Sequence, residues 1–139
     1  MAMSDAEKQA LKETMAERAK ARKKMTPEQL EQEVLDKIAA MAPADRAIGE
    51  QVHALVKKVA PNLQSKTWYG MQAYCDAAGK TVVFFQDAGK FKARYSTLGF
   101  QDAANLDEDL MWATSFAVIG WNAAVEKQVT ALIKRAIAN

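Results

Sequence analysis

The hydrophobic period of this chain changes after Pro61-Asn62, and that change limits the folds open to it more than any other feature. Before it, apolar residues recur at helical spacing: Leu30, Val34, Leu35, Ile38 and Met41, then Ile48, Val52, Leu55, Val56 and Val59. After it come short runs rich in β-branched and aromatic residues, which suit strands. The pivot is Ser65-Lys66-Thr67-Trp68-Tyr69-Gly70-Met71-Gln72-Ala73-Tyr74, with one of the three Trp and two of the three Tyr. At 139 residues, half of them apolar, the chain can bury one core but hardly two.

Residues 4 to 24 read as a helix opened by a Ser4–Glu7 capping-box spacing. Leu11 and Met15 are its only large apolar residues, and it ends on the basic cluster Arg18, Lys20, Arg22, Lys23 and Lys24. It reads as a solvated extension, or alternatively as an arm for a polyanion or another subunit. Thr26-Pro27-Glu28-Gln29 starts a second helix with an N-cap, a Pro at the first position and a capping box. Pro43 ends it, and a third helix covers roughly residues 44 to 60. The only His, His53, falls beside the apolar stripe of that helix and has no ligand-spaced companions.

Residues 67 to 75 suit a first strand, in which Gly70 marks a bulge or the close approach of a ligand or a neighbouring backbone. Asp76 to Gly79 turns the chain, and Thr81 to Gln86 is apolar on both faces, as a central strand is. Asp87-Ala88-Gly89 reads as a tight turn in which Gly89 takes a positive φ. Residues 90 to 95 alternate, with Phe91, Ala93 and Tyr95 on one side and Lys90, Lys92 and Arg94 on the other, the pattern of an antiparallel strand. Residues 96 to 113 read as a long covering loop, 114 to 119 as a last strand, and Asn122 as the cap of a final helix. The expected fold is therefore α+β and two-layered: about four antiparallel strands, helices on one face, and an N-terminal helical extension. The boundary falls near residue 25, giving an extension over 1–25 and a domain over 26–139.

The chemistry is defined by what is missing. There is no phosphate-binding Gly motif and no Cys pair, and one His leaves little room for His-based metal sites or dyads. A net charge of +2 does not point to a polyanion, and no aromatics interleave with the basic cluster, which argues against nucleic acid. The single Cys75 excludes an internal disulfide and suits a reducing compartment. No run is long enough to span a membrane and no signal-peptide pattern opens the chain, so a cytoplasmic protein is expected.

What remains is aromatic. Trp68, Tyr69, Met71, Tyr74, Tyr95 and Trp112 read either as core or as the lining of a small-ligand pocket, with Lys92 or Arg94 available to an anion. Asp102, Asp107, Glu108 and Asp109 are the dense acidic group of the globular part, able to hold a hard cation weakly or simply to be solvated. The expected function is non-enzymatic binding of a small molecule or a partner's side chain. Two alternatives stand beside it: weak iron binding by the acidic loop, and a protein-interaction module, with a partner protein or as a homo-oligomer, that works through the N-terminal helix or a sheet edge.

Several runs are similar to one family. Thr67 to Tyr74 resembles the W-Y-G-M-P-A-Y signature of the YdhG-like domains of unknown function. Phe84-Phe85-Gln86 with Lys90 to Phe100 resembles that family's second block, and Leu106-Asp107 with Met111 to Ala117 and the final helix its third. Gln72 and Ala113 stand where the pattern has Pro, and Glu108-Asp109-Leu110 replaces Asp-Gly-Ala. The resemblance implies a frataxin-like α+β domain, with the label of iron chaperone that such domains carry. Iron would then rest on Asp102, Asp107, Glu108 and Asp109.

Overall fold

The computed structural model describes residues 4–21 and 25–138, and the side chains of 4–17 and 25–138. The side chains of Arg18, Lys20, Arg22, Lys23 and Lys24, the basic cluster singled out above, lie outside that description. Five helices and five strands follow in the order α1 (Asp5–Ala21), α2 (Pro27–Ala39), α3 (Pro43–Val59), β1 (Gln64–Trp68), β2 (Met71–Cys75), β3 (Thr81–Gln86), α4 (Ala88–Phe91), β4 (Ser96–Phe100), β5 (Ser115–Val118) and α5 (Ala123–Ala136). The strands form one antiparallel sheet in sequence order, so the fold is α+β with five strands rather than about four.

The helix starts follow from local chemistry. Thr26 Oγ1 accepts from the Gln29 N–H at 3.2 Å while Gln29 Oε1 accepts from the Thr26 N–H at 2.8 Å, a complete capping box. Asn122 Oδ1 accepts from the Val125 N–H at 2.9 Å and starts α5. Pro43 stands inside the start of α3 rather than merely ending α2, the place where its missing N–H costs nothing.

One face of the sheet carries the core. Val34 and Ile38 from α2, Val52, Leu55 and Val56 from α3, and Val129 and Ile133 from α5 close over Tyr74, Val83, Phe85, Leu98 and Phe100. A register shift between Tyr74 and Cys75 sets Val82 and Val83 side by side in that core. Since cross-strand partners share a face, the row Lys66–Ala73–Phe84–Gly99–Ser115 belongs to the other side.

Four expectations are corrected. Residues 67 to 75 are not one strand with a bulge at Gly70: they hold the end of β1, a two-residue turn and all of β2. Residues 90 to 95 are not a strand. Asp45 at the start of α3 accepts from the Gly89 N–H at 2.9 Å, and Ser96 Oγ accepts from the Ala88 N–H at 3.0 Å, which curls the chain into α4. The positive φ there falls on Lys92, at +52°, and not on Gly89. The covering loop is also shorter than expected, because its first residues, Ser96 to Phe100, are the strand β4.

Candidate functional site

The β1–β2 hairpin closes through Tyr69 and Gly70 alone, with φ of +50° and +74°. Two consecutive positive φ values are what a type I′ turn requires, and its right-handed twist matches the strands it joins. Gly70 meets this demand freely. Tyr69 does not: a bulky residue held left-handed costs about 1–2 kcal/mol. Such strain persists only where the surroundings over-determine it.

The surroundings do. Behind the turn, Glu17 of α1 accepts from the Gly70 N–H at 3.1 Å. Lys90 of α4 donates to the Gly70 carbonyl at 2.8 Å and to Glu13 of α1. Glu13 also pairs with Lys37 of α2 at 3.0 Å. Burial pushes both carboxyls up. For Glu17 burial wins and its pKa is raised; for Glu13 the hydrogen bonds from Lys90, Gln9 and Lys37 outweigh burial and hold it low. The N-terminal helix is thus fastened to the hairpin by polar contacts, despite having so little to bury.

In front of the turn lies an aromatic cluster. The Trp68 and Tyr69 rings meet edge to face at 4.9 Å, and Trp68 lies 5.2 Å from the Phe84 ring. A Cβ on Gly99 would overlap the Phe84 ring, so only Gly lets that ring lie close on β4. Trp68 pairs with Met71, and Phe84 with Ala73, on the side of the sheet away from the core helices. Tyr69 remains 44% exposed. The result is a partly open aromatic platform in which Trp68 and Phe84 are half-buried and Tyr69 is exposed.

The remaining candidates separate. Tyr74 is fully buried on the opposite side of β2 and is a core residue rather than a pocket wall. Its hydroxyl belongs to a chain of hydrogen bonds. Gln72 Nε2 donates to the Gly49 carbonyl at 3.1 Å and to Tyr74 Oη at 3.0 Å. Because a carbonyl only accepts, the Gln72 amide is oriented, and Tyr74 Oη, which accepts from it, shares a hydrogen bond with His53 Nδ1 at 2.9 Å. His53 Nε2–H then donates to Glu31 at 3.0 Å. His53 is therefore a structural link between helix and sheet.

Lys92 caps α4 in the left-handed conformation, and Arg94 lies 5.2 Å over the Tyr95 ring, forming a separate exposed pair. Trp112 is 38% exposed on the segment between β4 and β5, and among the described ring pairs it does not stack on Trp68. Asp102, Asp107, Glu108 and Asp109 are all exposed. Glu108 pairs with Arg135 at 3.1 Å. Among the described residues no three His, Cys, Asp or Glu side chains converge as metal ligands, so the acidic loop does not assemble a cation cage.

Sequence reading missed Phe84, Gly99, Glu13, Glu17 and Lys90. Phe84 and Gly99 face each other only through the β3–β4 register, and the contacts of α1 span dozens of residues. No local pattern encodes either. Cys75 was legible: it is buried, and burial pushes its thiol pKa up, as expected of a core residue.

Compared with known proteins, the chain matches no protein-family model, no curated protein and no solved structure. Among the described residues no helix is long and apolar enough to cross a membrane.

Proposed function

We propose that this chain is a non-enzymatic binding protein that takes a planar aromatic group, from a small ligand or from a partner's side chain, on the platform of Trp68, Tyr69 and Phe84. The observation that carries this reading is the left-handed Tyr69, held at φ +50° with its ring edge-on to Trp68 and partly open to solvent. Asn in that turn would remove the strain. Keeping an exposed Tyr there is expensive for the fold and useful for recognition. Rigid aromatics of this kind give contact area at little cost in conformational entropy.

The YdhG-like resemblance belongs to the same proposal, since its first run of residues supplies the hairpin. So does a cytoplasmic location. The acidic residues on which iron would rest, Asp102, Asp107, Glu108 and Asp109, are exposed, and among the described residues no three His, Cys, Asp or Glu side chains converge as metal ligands.

The test is a titration with planar aromatic fragments, single-ring to fused-ring. Trp68→Ala should keep the far-ultraviolet dichroism spectrum of the parent and lose fragment binding. A folded Trp68→Ala protein that binds the same fragments as tightly as the parent would rule out the platform.

A further inference from the structure

At the other edge of the sheet, β5 has one neighbour among the described residues, β4, and its second side pairs with none of them. The Phe100 N–H donates to the Thr114 carbonyl at 2.8 Å. Alternation along an antiparallel ladder therefore turns Thr114, Phe116 and Val118 toward β4, and sends the N–H and C=O groups of Ser115 and Ala117 outward. Exposed edges are normally guarded by charge, Pro or a covering element. The β1 edge has such a guard: it carries Lys66 and lies under α2. On the β5 side, the chain from Leu110 to Val125 contains no charged residue and no Pro.

Beside this edge runs a groove of about 700 Å³ between β5 and α5, walled by Phe116, Val118, Trp121, Val125, Val129 and Leu132 among others, none of its lining residues charged. Leu110, Met111 and Ile119 project from the flanks of β5 at 97%, 87% and 84% exposure. An uncharged groove beside an uncharged strand offers nothing to attract a charged segment, and it penalises one by desolvation. Its complement is an extended, apolar, uncharged strand. The chain itself presents that strand, already extended, in the same place.

We propose that the protein self-associates through β5, two copies pairing these strands antiparallel about a two-fold axis near Ala117. The pairing is self-complementary, because each copy offers both donors and acceptors at Ser115 and Ala117. The small side chains of these two residues raise no steric barrier. The exposed Ile119 of each copy comes to lie over its partner, and the joined sheets cover the mouths of both grooves. This pairing uses the outer edge of β5, whereas Trp68 and Tyr69 of the platform lie at the β1–β2 hairpin, and it does not depend on them.

Sedimentation equilibrium of the full chain, with hydrogen exchange followed by NMR, tests the proposal. The parent should sediment at twice the mass of one chain, and the amide exchange of Ser115 and Ala117 should slow as protein concentration rises. Phe116 and Val118, bonded to β4, should be protected at every concentration. Ala117→Lys, which places a charge on the axis, should sediment as one chain with an unchanged dichroism spectrum; Ile119→Glu, at an exposed position, should weaken the dimer if Ala117→Lys fails to fold. A parent that stays at the mass of one chain at its highest soluble concentration would overturn the proposal. So would a dimer that persists unchanged in the folded variants, or open-ended assembly in place of a closed pair.

Discussion

The Glu17 carboxylate accepts a hydrogen bond from the Gly70 N–H across 53 residues of sequence, tying the first helix to the hairpin tip at 3.1 Å. Glu17→Ala removes the only acceptor described for that N–H and should cost about 1–3 kcal/mol, read from urea unfolding. Glu17→Gln keeps an acceptor while removing a carboxyl whose pKa burial has raised. It should therefore match or exceed the parent in stability at neutral pH. Equal losses in the two variants would show that the charge, not the hydrogen bond, fastens α1.

Acid stability should report Glu13. Its folded pKa lies below the ordinary 4.5, because the hydrogen bonds from Lys90, Gln9 and Lys37 outweigh the upward push of burial. A depressed carboxyl stabilises the fold above its unfolded pKa, and that contribution is lost as pH falls below 4.5 through the folded value. Glu13→Gln should be less stable than the parent at neutral pH, and the gap should close on acidification through that window. A gap independent of pH would mean that Glu13 acts by packing alone.

Tyr69→Asn should leave the fold intact and raise its stability by up to about 1 kcal/mol, because Asn tolerates the left-handed conformation that Tyr resists. The same change should abolish binding at the platform. Thermal unfolding and fragment titration on one sample check both halves. A loss of stability larger than about 1 kcal/mol would show that the Tyr69–Trp68 ring contact holds the hairpin together.

Tyr74→Phe deletes the hydroxyl between Gln72 and His53, leaving buried groups unpaired on both sides. It should cost about 1–3 kcal/mol in denaturant unfolding with no effect on fragment binding. An effect on binding would connect the buried network to the platform.

What could be read from the sequence follows from where each feature is encoded. The capping box at Thr26 and Gln29 and the cap at Asn122 are local signals and form as their spacing dictates; so do the apolar stripes of α2, α3 and α5 at Val34, Ile38, Val52, Val56, Val129 and Ile133, whereas Leu35 and Ile137 stay exposed. Residues 90 to 95 misled because a period of two over six residues cannot reveal that Asp45, far back in the chain, will capture the Gly89 N–H. Gly70 suggested irregularity, yet only the pairing of Trp68 with Met71 shows a two-residue turn. For the site, Trp68, Tyr69 and Met71 were legible as one run. Phe84 and Gly99 come from two other strands, and Tyr74, three residues beyond Met71, points to the opposite face by the alternation of the strand.

The most direct test of the platform uses the three tryptophans as reporters, since Trp68 lies on it, Trp112 on the segment before β5 and Trp121 in the β5–α5 groove. Their indole N–H resonances, assigned by single Trp→Phe replacements, would be followed while planar aromatic fragments are added. The account predicts that fragments shift the Trp68 resonance in a saturable manner and leave Trp121 in place. Fragments that shift Trp112 or Trp121 while Trp68 stays unmoved would contradict it.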